Sequence, residues 1–92
     1  MKLIKDENLV RLFDLYKNIL SPAQQEFMLD FINNDLTITE IAENNNISRQ
    51  AAFDGIKKAV EKMNNLESTL GYLQRITALE KEIENLKKRR DE

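Results

Sequence analysis

Between Ala42 and Ser48 the chain reads Ala-Glu-Asn-Asn-Asn-Ile-Ser, and this run constrains the fold more than any other stretch. Ser48 is a helix cap, with Arg49 and Gln50 opening the helix behind it. Asn46, four residues after Ala42, accepts the left-handed backbone that a tight interhelical turn requires. Ala42 is small enough to let a second helix cross close by, and Ile47 supplies an apolar plug under the turn. A capping box, Thr37-Ile38-Thr39-Glu40, starts the preceding helix and turns Ile38, Ile41 and Ala42 inward. The spacing from Thr37 to Lys58 is that of a helix-turn-helix, the bihelical unit that lays its second helix in a DNA major groove.

Helices extend to both sides of this motif. One proline and two glycines leave few interruptions, and the alternation of β-branched residues that marks strands is absent. From about Asn8 to Leu20 the apolar residues Leu9, Leu12, Phe13, Tyr16, Ile19 and Leu20 follow helical spacing. Ser21-Pro22-Ala23-Gln24 combines a cap, a proline suited to the first helical position and a capping-box glutamine. It opens a second helix to about Asn33, with Phe27, Met28, Phe31 and Ile32 inward, which Asn33-Asn34-Asp35 ends. The helix capped by Ser48 is expected to run from Arg49 to roughly Asn65, with Ala52, Ile56, Ala59 or Val60, and Met63 inward. A last helix is expected from about Leu66 to Arg90. Leu66, Leu70 and Leu73 continue an apolar stripe there, and Ile76, Leu79, Ile83 and Leu86 alternate by three and four as heptad a and d positions do.

Composition excludes several kinds of chemistry. The 92 residues contain no cysteine and no histidine, which removes disulfides, thiolate metal sites, the usual general base and the commonest nitrogen ligand. Acidic residues are scattered without a ligand pattern, and no glycine-rich phosphate loop is present. The chain is therefore read as non-enzymatic, with no cofactor, no metal and no small-molecule substrate. The apolar runs are too short to span a membrane, and the N-terminus turns acidic before a secretory segment could form. A reduced, cytoplasmic protein is the default expectation. Fourteen basic and sixteen acidic residues give a formal net charge of −2, so any affinity for DNA has to come from a local basic patch.

Residues 47–58, Ile-Ser-Arg-Gln-Ala-Ala-Phe-Asp-Gly-Ile-Lys-Lys, closely resemble the recognition-helix segment of the YlxM family. These are small bacterial proteins similar to region 4 of sigma factors, whose genes lie beside those of the signal recognition particle. Leu15-Tyr16, Leu20-Ser21, Gln24 or Gln25, Leu66-Glu67 and Leu70-Gly71-Tyr72-Leu73 extend the resemblance over most of residues 9–75. It implies an all-α fold, a sigma-region-4-like helix-turn-helix core of about four helices with a long C-terminal helix. It also implies a regulatory protein of DNA-binding type connected with the signal recognition particle pathway. Asn45 stands where the family commonly has leucine and Ala52 where it has valine, and both changes are expected to thin the packing between the two helices of the motif. Gly55 replaces a longer polar residue mid-helix, where glycine costs about 1 kcal/mol relative to alanine.

The outward face of the helix after Ser48 carries two readings. In one, Arg49 and Gln50 contact guanine and adenine edges, Phe53 touches a thymine methyl or covers a neighbouring helix, and Lys57 and Lys58 hold phosphates. In the other, Ser48 is only a cap, the polar residues are solvated, and the motif is a scaffold for protein interaction that binds no DNA. The C-terminal stripe divides as well: Leu66 to Leu73 fold back on the chain's own core, while Ile76, Leu79, Ile83 and Leu86 pair with another chain. A symmetric homodimer is the simplest form, and a different protein, such as a signal recognition particle component, is the alternative. The expected organisation is a helix-turn-helix core over residues 1–65 and a dimerisation helix over residues 66–92.

Overall fold

In the computed structural model, which describes residues 3–90, all regular structure among those residues is helical. Five α-helices follow one another: α1 (Glu7–Tyr16), α2 (Pro22–Ile32), α3 (Ile38–Asn44), α4 (Arg49–Leu70) and α5 (Tyr72–Arg90). A short 3-10 turn, Lys17–Ile19, links α1 to α2.

Side chains near each helix start satisfy free backbone N–H groups there. The Asp6 carboxylate accepts from the Leu9 N–H at 2.9 Å, a cap that the apolar pattern alone does not announce. Both expected capping boxes close. Ser21 Oγ accepts from the Gln24 N–H while Gln24 Oε1 accepts from the Ser21 N–H, and Thr37 and Glu40 repeat the exchange. Ser48 Oγ accepts from the Ala51 N–H at 3.0 Å.

The turn between α3 and α4 follows the expectation at Asn46, whose φ is +54°. The Ile47 N–H reaches back to the Ala42 carbonyl and the Asn46 N–H to that of Glu43, the paired bonds of a Schellman closure. Ile47 itself sits at the rim of the turn, about a third exposed, rather than plugging it. The turn after α2 also uses a positive φ, at Asp35. Lys5 ties that turn to the N-terminal segment, ion-paired to Asp35 with its ammonium 4.7 Å from the centre of the Phe31 ring.

The core forms on α4, against which α1, α2 and α3 all pack. Ala52, Ile56, Ala59 and Met63 have no exposed surface. Leu9, Leu12, Phe13 and Tyr16 face them from α1, Met28 and Phe31 from α2, and Ile41 and Ala42 from α3. Phe27 and Ile32 are partly buried at its edge. Ile19 departs from the expected stripe: it falls in the 3-10 turn and is exposed, while Leu20 is buried. The expected thinning of the α3–α4 contact does not appear as solvent access, because Ala52 is fully covered. Asn45 instead donates from Nδ2 to the Ile41 carbonyl at 2.8 Å and helps end α3.

Two helix boundaries differ from expectation. The first helix ends at Tyr16 rather than near Leu20. The fourth runs past Asn65 to Leu70, and the chain breaks at Gly71, whose φ of +64° suits a residue without a side chain. Residues 66–70 therefore belong to α4 and only Tyr72–Arg90 to α5.

Gly55 has a tertiary reason. A Cβ built on it would lie 2.7 and 2.8 Å from Cε2 and Cδ2 of the Phe27 ring, which rests against the α4 backbone there. Without a side chain at Gly55, α2 can come this close. Gly55→Ala gains about 1 kcal/mol of helix propensity and meets an overpacking cost of about 1–3 kcal/mol. A net loss of about 1 kcal/mol in urea denaturation is expected, and Phe27→Leu in the same chain should recover most of it.

Candidate nucleic-acid interface

The first turns of α4 bring part of the proposed site together. Arg49 and Gln50 are exposed directly after the Ser48 cap, and Phe53 is half-buried one turn on. With Ile38 from the first turn of α3 these three line a shallow groove. Ile38 reaches it because the Asn46 turn folds the start of α3 beside the start of α4. Lys57, one turn beyond Phe53, is half-buried. Among the described residues the ion pairs are Lys5–Asp35 and Arg11–Glu80, so Arg49, Lys57 and Lys58 have no carboxylate partner among those residues.

Two features of this face change its electrostatics. Gln50 Nε2 donates to Asp54 Oδ1 at 3.0 Å, an i,i+4 contact that holds the amide along the helix and sets a carboxylate beside it. Lys58, nine residues after Arg49, is about half a turn away round the helix. It lines a different groove, with Glu61, Lys62, Asn65, Leu66, Thr69 and Leu70. Arg49, Gln50 and Phe53 thus form one group, and Lys58 stands outside it.

The second candidate surface lies on α5. Leu73 is buried against the core, whereas every residue from Gln74 to Arg90 is exposed. Ile76, Leu79, Ile83 and Leu86 are between 39% and 55% exposed, far more than core side chains of their size. The helix ends on Lys87, Lys88, Arg89 and Arg90, charges that complement the carbonyl end of its dipole.

The Glu67 carboxylate sets the direction in which α5 leaves the core. Its Oε1 accepts from the buried Tyr16 hydroxyl at 2.7 Å and from the Leu73 N–H at 2.9 Å, and its Oε2 accepts from the Gln74 N–H at 3.1 Å. One side chain of α4 thereby holds α1 and caps α5 across the Gly71 break. Arg11 adds an outer tie, with contacts to Thr77 and Glu80. Burial raises the Glu67 pKa, but its hydrogen bonds from Tyr16, Leu73 and Gln74 outweigh that and hold the carboxyl below its ordinary range. Burial, and then the bond to Glu67, push the Tyr16 hydroxyl above its usual range. No helix among the described residues is long and apolar enough to cross a membrane. No three potential ligands among those residues are grouped to hold a metal ion.

A capped helix-turn-helix with a polar, exposed leading edge on its second helix defines the class of protein. The model of the family described as "Putative helix-turn-helix protein, YlxM / p13 like" matches residues 3–92. A UPF0122 protein of Fusobacterium nucleatum is 39% identical over 87 residues, covering 92% of this chain and 84% of that one. One from Malacoplasma penetrans is 42% identical over 72 residues, covering 78% and 66%. A third, from Geobacillus kaustophilus, is 34% identical over 76 residues, covering 83% and 69%. The chain belongs to this YlxM / p13-like family, UPF0122.

The Glu67 joint gives a pH prediction. A carboxyl whose folded pKa is depressed contributes stability above its unfolded pKa and loses it as pH falls through the folded value. Urea midpoints measured from about pH 7 to about pH 3 should therefore drop. Glu67→Gln should remove part of that slope and cost about 1 kcal/mol at neutral pH, since partial solvent access reduces the value of a charged hydrogen bond. An unchanged slope would show that Glu67 does not carry this contribution.

Proposed function

We propose that the protein is a non-enzymatic regulatory protein that binds duplex DNA through the leading edge of α4 and forms a homodimer through α5. The observation that carries the DNA reading is the grouping of Arg49, Gln50 and Phe53 beside Ile38 at the capped start of α4, with the Arg49 guanidinium paired to no carboxylate among the described residues. A helix N-terminus favours phosphate through its free N–H groups and its dipole. Arg49 and Gln50 carry the side chains that pair with guanine and adenine edges. Lys57 serves a phosphate one turn further along, and Lys58 serves one on the flank of α4.

The finer part of the proposal, drawn from the YlxM resemblance, is participation in the signal recognition particle pathway. A component of that particle would then be a protein partner. The competing reading is an interaction module that uses the helix-turn-helix as scaffold and binds no DNA. Two observations favour it: the formal net charge of −2, and Asp54 bonded to Gln50 on the face that would meet DNA.

A salt titration against mixed-sequence duplex DNA separates the two. Binding should weaken linearly on a log–log scale as salt rises, and Lys57→Ala should reduce the slope by about 1. Arg49→Ala should cost about 1–3 kcal/mol if it reads a base. Absence of binding at low salt, where phosphate contacts are strongest, would overturn the DNA reading and leave the scaffold. Association of the purified chain with signal recognition particle components, followed by sedimentation, tests the pathway assignment; no co-sedimentation would remove it.

Sedimentation also tests the dimer. The unsubstituted chain should run at twice its mass, and Leu79→Lys with Ile83→Lys should run as a monomer with unchanged helical content. A mass unaffected by the double substitution would remove α5 as the interface.

A further inference from the structure

The seam on α5 assigns its own heptad register. Ile76 and Leu79 are three apart, Leu79 and Ile83 four, and Ile83 and Leu86 three, so Ile76 and Ile83 take a positions and Leu79 and Leu86 take d positions. Tyr72 falls at the preceding d position and is 48% exposed, while Arg90 falls at the next a and closes the seam. Isoleucine at a with leucine at d is the combination that favours two parallel strands.

The charges flanking the seam discriminate between orientations. Arg75, Glu82 and Arg89 occupy g positions, and Glu80 and Lys87 occupy e positions. In a parallel pair in register, each g residue faces the e residue of the following heptad on the other helix. Arg75 then meets the partner's Glu80, and Glu82 meets the partner's Lys87, each pair occurring twice by symmetry. In an antiparallel pair with the same apolar layers, g faces g and e faces e. Glu82 would then lie against the partner's Glu82, Glu80 against the partner's Glu80, and Arg75 against the partner's Arg89. Every charge contact of the antiparallel form repels, and every one of the parallel form attracts.

Ile76 borders a groove with Arg11, Asp14 and Leu15 of α1 but keeps 39% of its surface exposed. Leu73, Thr77 and Glu80 share the side of α5 turned toward α1, through burial of Leu73 and the Arg11 contacts. Arg11 bonds one oxygen of Glu80, so the carboxylate can accept from a second guanidinium.

We propose that α5 pairs with α5 of a second copy of this chain in parallel and in register, through the layers Tyr72, Ile76, Leu79, Ile83 and Leu86. The inference rests on the dimer reading above and adds its orientation. Both helix-turn-helix units then stand at the Tyr72 end of the pair, related by a two-fold axis along it. The basic last turns of the two helices meet at the other end.

The chain has no cysteine, so one introduced thiol reports position without background. In the full chain under mild oxidation, Ile76→Cys alone and Leu86→Cys alone should each form a disulfide-linked dimer. An antiparallel pair would link only in a mixture of the two variants, because each thiol then lies about 15 Å along the axis from its own copy. Sedimentation of the unsubstituted chain keeps the two failures apart. A monomer overturns both the dimer and its orientation. A dimer that cross-links only in the mixture overturns the orientation alone, and a dimer that never cross-links at these positions overturns the seam as its interface. As a second measure, Glu82→Lys should weaken the dimer roughly three- to tenfold, and adding Lys87→Glu to the same chain should restore it. No change on Glu82→Lys would overturn the parallel form.

Discussion

α1, α2 and α3 all come to rest on one face of α4, and the sizes of the side chains on that face decide how close each can come. Ala52 and Ala59 keep the surface low, Ile56 and Met63 fill the space between neighbours, and none of the four keeps any contact with water. At Gly55 the surface drops to bare backbone, and the Phe27 ring of α2 occupies the space. The leading edge of the motif depends on this packing. Ile38 shares a groove with Arg49, Gln50 and Phe53 only because α3 lies tightly across the start of α4. A larger residue at Ala52 would lift α3 and separate that group without touching it.

Glu67 performs the corresponding task at the other end of α4. A helix start needs acceptors for its free N–H groups, and α5 takes both of its acceptor atoms from a carboxylate on the preceding helix. The same carboxylate holds the Tyr16 hydroxyl, so the cap of α5 is also its attachment to α1. α5 therefore leaves the core in a defined direction, although only Leu73 of it is buried. Its apolar seam, Ile76, Leu79, Ile83 and Leu86, is left facing water.

Much of the fold can be read from the chain because the signals are local. A capping box involves residues three apart, and Ser21, Thr37 and Ser48 each announce the helix that follows. Asn46 is similar, since few other residues accept its backbone conformation. The inward stripe of α4 follows from helical periodicity: Ala52, Ile56 and Met63 are buried as expected, and so are both Ala59 and Val60, between which spacing does not choose. The heptad on α5 is equally plain, although spacing does not say what covers it.

What the sequence determined by itself was the number of helices, the caps that start most of them, the turn of the motif and the seam on α5. All of these depend on residues within a few positions of one another. Tertiary structure decided the rest. It moved the break from near Asn65 to Gly71, because Glu67 caps a helix starting at Tyr72 and binds a tyrosine 51 residues away. It gave Gly55 a purpose through Phe27, from a helix distant in sequence. It also divided the candidate site, leaving Arg49, Gln50 and Phe53 together and placing Lys58 in another groove. Those outcomes turn on which surfaces meet across the core and which way each side chain points once they do, information that no short window of sequence contains.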